Sequence, residues 1–215
     1  MPKFFQLSFF IFLVFISGRT YADSMEDMVA LMGKKLGNYK VLNESVIRGG
    51  LRIRLCQYCH GKDGNSTRAG VPNLAEQNPM YLLTQFEYFR TDKRKNKVMN
   101  ELAKGLTKDE RVNIALYYAS QKVVVSPGLQ NVNSLSYKSG SDIYKSICAN
   151  CHGVKGYGAE TLPRIAGQKS EFINKTLNAY KAKEGVRPDS PMLAISAALS
   201  ETDISSIATF VSFMK

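Results

Sequence analysis

The sequence predicts an all-α protein built from two tandem domains, and three observations predict it. Apolar residues recur at helical spacing in every periodic segment, and no strand-type alternation appears in either half. The second half repeats the landmarks of the first at a nearly constant offset of 91–93 residues, the signature of internal duplication. Each half also carries one Cys-x-x-Cys-His pentapeptide, and together these use all 4 cysteines and both histidines of the 215-residue chain.

Taken in order, the chain opens with the pattern of an export signal. Lys3 is followed by the apolar stretch Phe4 to Ile16 and by Thr20-Tyr21-Ala22, which has small residues at a cleavage site's first and third positions. The stretch is too short for a spanning helix of ~20 residues. Residues 1–22 are therefore expected to be a signal peptide, with an uncleaved membrane anchor as the alternative. Residues 23–50 form an N-terminal helical extension. There Met25, Met28, Val29, Met32 and Leu36 share one helical face that covers the first domain, and Gly49-Gly50 is expected to break the chain.

The first domain is expected over 51–121. After His60, Gly61-Lys62-Asp63-Gly64 reads as a turn and residues 65–77 as loop. Asn78-Pro79 reads as N-cap and first helical position of a helix whose apolar face is Leu82, Leu83, Phe86 and Phe89. Thr107 to Glu110 forms a capping box that opens a helix ending near Gln121. Residues 122–139, with Pro127-Gly128 and many Ser and Asn, read as a linker, and the second domain is expected over 140–215. There Asp142 is expected to start a short helix leading to Cys148. Gly153 to Gly158 repeats the glycine turn, Pro163 stands where Pro72 stood, and Ser170 to Lys181 matches the Asn78 helix. Ser200 to Asp203 repeats the capping box.

The pentapeptides carry the chemistry. Cys-x-x-Cys-His is the spacing of covalent haem attachment: two thiols add across the haem vinyl groups, and the adjacent His ligates the iron. A zinc site would want two Cys-x-x-Cys pairs about 15–20 residues apart, and these begin 92 positions apart. A redox dithiol would not require His after the second Cys, and disulfides between cysteines this close are strained. Haem attachment alone gives all six residues a task, with Cys56, Cys59, Cys148 and Cys151 as attachment points and His60 and His152 as iron ligands.

No further His exists for a second axial bond, which leaves Met, Lys, Tyr or an open position. Among the 8 methionines, Met99 and Met192 hold equivalent places, 39 residues after His60 and 40 after His152, before the two capped helices. They are the expected sixth ligands. A thioether suits ferrous iron and raises the potential relative to two imidazoles, and two filled axial positions leave no room for oxygen or peroxide. Pro72 and Pro163 are candidates to offer carbonyls to the free ring nitrogens of the histidines.

A formal net charge of +11 points to an anionic partner. Export argues against nucleic acid. An acidic docking surface on a redox protein is the first choice, and lipid headgroups, through peripheral membrane association, the second. Arg90, Lys93, Arg94, Lys95 and Lys97 form a basic run that reads either as a solvated loop or as a docking patch.

From Leu51 to Lys215 the chain resembles the cytochrome c4 family, dihaem cytochromes of the periplasm built from two class I cytochrome c domains. The resemblance rests on both haem motifs, the Gly-x-x-Gly turns and the segments Pro72-Asn73-Leu74-Ala75-Glu76-Gln77 and Pro163-Arg164-Ile165-Ala166-Gly167-Gln168. It rests also on the positions of Met99 and Met192. Glu76 stands where the family commonly has Gly, and Met99 lacks the Pro that precedes Met192. The resemblance implies two covalently attached haem c groups and a periplasmic one-electron carrier, not an enzyme. Such a carrier works between a quinol-oxidising complex and a terminal oxidase or reductase. The alternatives are an electron-transfer subunit of a dehydrogenase complex, or a dihaem enzyme of peroxidase or thiosulfate dehydrogenase type, which would need an exchangeable iron site.

Overall fold

A computed structural model describes residues 24–125 and 133–215. The expected signal peptide and Pro127-Gly128 lie outside these residues. Among those described, all regular structure is helical, apart from one isolated bridge between Ala159 and Leu162.

Five helices of each half correspond. In the first half they are α2 (Tyr39–Arg52), α3 (Gln57–His60), α4 (Pro79–Arg90), α5 (Lys97–Lys104) and α6 (Lys108–Ala119). In the second they are α7 (Ser134–Ile143), α8 (Ala149–His152), α9 (Ser170–Ala182), α10 (Met192–Ala197) and α11 (Glu201–Phe213). A π-helical turn, Tyr144–Cys148, joins α7 to α8. Helix α1 (Met25–Leu36) precedes them and has no counterpart among the described residues.

Helix α1 forms where the apolar stripe predicts it, capped by the Ser24 side chain on the Asp27 N–H, but only part of the stripe covers the first core: Met28 and Met32 are fully buried there, whereas Val29 and Leu36 are exposed. The two methionines meet Leu82, Leu83, Val112, Ile114 and Leu116 there. The second core gathers Tyr144, Ile173, Leu177, Ile204, Ile207 and Val211. Both capping boxes form, Thr107 with Glu110 and Ser200 with Asp203.

Three further expectations need correction. Gly49-Gly50 does not break the chain but lies inside α2, because the glycines let α2 cross closely over α6. A Cβ on Gly49 would sit 2.2 Å from the Asn113 carbonyl oxygen and 2.7 Å from Tyr117 Cβ. Gly140 in α7 does the same against α11, where a Cβ would lie 2.1 Å from the Ser206 oxygen. Asp142 does not start a helix. Asn133 caps α7, accepting from the Leu135 and Ser136 N–H groups, so helix begins inside the 122–139 stretch and Asp142 sits in its last turn paired with Lys138. Finally, Pro79 opens α4, but the Asn78 side chain does not cap it. That amide instead donates across the molecule to the Tyr157 and Leu162 carbonyls, at 3.1 and 2.6 Å.

Candidate haem sites

The two sites are built by the same local devices. In the first, the chain leaves α2 through a short turn and α3 brings Cys56, Cys59 and His60 round one helical turn, with the His60 N–H donating to the Cys56 carbonyl at 2.9 Å. Gly64 then folds the following loop back. At φ +78° it occupies the left-handed region that favours glycine, and a Cβ there would lie 2.6 Å from the Ala75 nitrogen. Its carbonyl accepts from both Leu74 and Ala75, at 2.7 and 3.2 Å. This pins the Pro72 segment beside α3 and sets the Pro72 carbonyl 3.0 Å from His60 Nδ1. In the second site Gly156 accepts from Ile165 and Ala166, and His152 Nδ1 lies 3.0 Å from the Pro163 carbonyl.

These contacts assign the ring protons. A carbonyl oxygen can only accept, so each Nδ1 must carry its hydrogen and each Nε2 is left with a bare lone pair. Burial holds both imidazoles below their ordinary pKa, against the Pro carbonyls, and at His152 the nearby Arg187 guanidinium pushes the same way. A neutral imidazole with a free Nε2 and an anchored Nδ1–H is what metal ligation by His requires.

The thiols fit the same chemistry. All four cysteines are free. Burial pushes the Cys148 thiol up to about 11 and raises Cys56 despite the nearby Arg52. A redox dithiol instead needs a depressed pKa. Among the described residues no group of three or more His, Cys, Asp or Glu is placed to hold a metal ion. Two free thiols and one Nδ1-anchored imidazole per half match the donors that covalent haem uses.

The methionines occupy equivalent places. Met99 is half-buried in the first turn of α5, its N–H held by the Asn96 side chain at 3.1 Å. Met192 is half-buried as the first residue of α10, its N–H 3.3 Å from Ser190 Oγ, and it packs against the second core. Of the basic run, Arg90 pairs with Glu87, Arg94 stacks over Phe89 and bonds Gln85, and the Lys95 N–H donates to Gly185 across the molecule.

Gln77 and Gln168 close the two proline segments, and nothing local in the sequence gives them a role. Each lies almost fully buried and hydrogen-bonds main chain of the opposite half, Gln77 to Arg164 and Gln168 to Asn73. Their recurrence at one offset was the available signal. The contacts themselves join residues 87 to 95 positions apart.

Two helical units, each presenting a Cys-x-x-Cys-His turn with an anchored histidine, define a dihaem c-type cytochrome. Comparison with known proteins agrees. A family model described as cytochrome c oxidase, cbb3-type, subunit III, matches residues 136–211. Cytochrome c4 of Pseudomonas aeruginosa is 32% identical over 174 residues, covering 76% of this chain and 85% of that one. A thiosulfate dehydrogenase electron acceptor of Thiomonas intermedia is 32% identical over 158 residues, covering 69% of this chain and 72% of that one. The crystal structure of reduced recombinant cytochrome c4 from Pseudomonas stutzeri superposes with a TM-score of 0.71, at 24% identity, over 78% of this chain and 97% of that one. The chain belongs to the cytochrome c4 family. It is a haem protein of electron transport with two covalently attached haem c groups, and the pairs Cys56/Cys59 and Cys148/Cys151 fit the attachment motif.

Proposed function

We propose that this protein is a periplasmic one-electron carrier that takes electrons from a quinol-oxidising complex and delivers them to a terminal oxidase or reductase. The carrying observation is the pair of 3.0 Å contacts from His60 and His152 Nδ1 to the Pro72 and Pro163 carbonyls, which aim a bare Nε2 from each motif. His60 and Met99 would hold one iron, and His152 and Met192 the other. Bound haem supplies an iron that alternates between ferric and ferrous. With a histidine and a methionine of the chain held on each iron, reorganisation would be small and exogenous ligands would be kept out. Each unit is a helical frame from α2 to α6 or from α7 to α11, so the first unit starts near Tyr39 and α1 is its added cover.

Residues 1–22 serve as the export signal, supported by the Lys3 and Phe4–Ile16 pattern. Among the described residues no helix is long and apolar enough to cross a membrane. The excess positive charge serves docking on acidic redox partners.

Redox titration of purified holoprotein tests the ligand set. Met99→His and Met192→His should each lower the potential of one haem and leave the other in place. A potential indifferent to either substitution removes that methionine from the iron. Rapid carbon monoxide uptake by the native reduced protein would reject closed axial positions and favour an enzyme. A second reading, the electron-accepting subunit of a dehydrogenase complex, is favoured by the likeness to the Thiomonas intermedia thiosulfate dehydrogenase electron acceptor. Co-purification with a larger catalytic subunit would select it.

A further inference from the structure

The geometry points to a crosswise device in which a glutamine of each unit tunes the haem of the other. The inference rests on His60 and His152 being iron ligands, as proposed above.

The Pro72–Asn73 peptide group is bonded at both ends. Its carbonyl accepts from His60 Nδ1 at 3.0 Å, and its N–H donates to Gln168 Oε1, in the opposite unit, at 2.7 Å. The mirror arrangement holds for the Pro163–Arg164 peptide. Its carbonyl accepts from His152 Nδ1 at 3.0 Å, and its N–H donates to Gln77 Oε1 at 2.7 Å. Each glutamine closes a second bond through Nε2, Gln168 to the Asn73 carbonyl at 3.0 Å and Gln77 to the Arg164 carbonyl at 2.8 Å. Each Oε1 also takes an N–H from the next residue of its own chain segment, which holds the amide in place. Gln77, Gln168 and Asn73 are about 95% buried, so water does not compete for these groups.

An amide whose N–H is bonded carries more negative charge on its oxygen, and hydrogen bonds in a chain strengthen one another by ~10–30% each. The Gln168 amide therefore makes the Pro72 carbonyl a better acceptor and His60 a more electron-rich ligand. Electron donation through the proximal imidazole favours ferric iron and lowers the potential. Gln168 thus holds down the potential of the His60 haem, and Gln77 that of the His152 haem. Gln77 and Gln168 are positioning residues, acting through a peptide group and a histidine. Opening the interface would release both potentials upward together.

The test uses intact dihaem protein, with each haem followed separately through its own ring-methyl NMR resonances during redox titration. Gln168→Leu should raise the potential of the His60 haem and shift its Nδ1–H resonance, leaving the His152 haem unmoved. Gln77→Leu should do the reverse. Gln168→Glu keeps an acceptor for the Asn73 N–H and should return the His60 haem to its original potential or below. A shift confined to the haem of the mutated glutamine's own unit, an equal shift of both, or no shift overturns the proposal. So does a Gln168→Glu variant that rises with Gln168→Leu, because that is loosened packing. Nitrogen-15 spectra of the histidines in the reduced wild type separate this from failure of the ligand reading. Imidazoles lacking iron-bound Nε2 there refute both, whereas bound imidazoles with unmoved potentials refute only the crosswise device.

Discussion

Replacing Gly49 by alanine probes whether the helix crossing organises the first unit. An alanine Cβ would stand 2.2 Å from the Asn113 oxygen, 2.7 Å from its carbonyl carbon and 2.7 Å from Tyr117 Cβ. Two of these are backbone atoms of α6, so no rotamer change relieves them, and α2 must retreat by roughly 1 Å to reach ordinary contact. Overpacking of this kind costs about 1–3 kcal/mol or more. The helix-propensity gain of Gly→Ala, up to about 1 kcal/mol, offsets only part. We expect a net loss of about 1–2 kcal/mol, measured by guanidinium denaturation of holoprotein. Gly33 supplies the control: it lies in α1 with no atom within 4 Å of where a Cβ would stand, so Gly33→Ala should stabilise by up to about 1 kcal/mol. If Gly49→Ala stabilised as much as Gly33→Ala, the close crossing of α2 and α6 would be wrong.

Two other predictions concern charge. Burial alone would raise the Asp109 carboxyl, but Lys35 Nζ at 2.6 Å and the Asn113 amide outweigh it and hold the group below its ordinary 3.8. Such a depressed carboxylate contributes stability that is full above 3.8 and is lost as pH falls through its folded value. Denaturant unfolding across acid pH should therefore show a loss that Asp109→Asn makes shallower, and an identical slope in that variant would remove Lys35–Asp109 as an acid-sensitive tie between α1 and α6. Electron transfer to an acidic partner should slow as salt rises, since screening weakens steering; stopped-flow rates indifferent to ionic strength would exclude basic docking.

The chemistry was legible in the sequence because it is local. Two thiols and a histidine within five residues, a capping box within four and a methionine stripe at helical spacing each depend on near neighbours, and all of these elements formed. The duplication was legible for the same reason, as matched local signals at one offset. Glycine misled where its local meaning was overruled. Gly49-Gly50 reads as a breaker, yet its missing side chains serve a contact with residues 113 and 117, and Gly140 repeats this against 206 and 210. Asn78 has the sequence of a cap, but its amide binds carbonyls 79 and 84 residues away. The interlocked glutamines belong to the same class. The two thiols and the histidine of each attachment motif are set by residues adjacent along the chain. How those groups are held is settled only on folding, because hydrogen bonds spanning 87 to 95 residues leave no periodic trace in the order of amino acids.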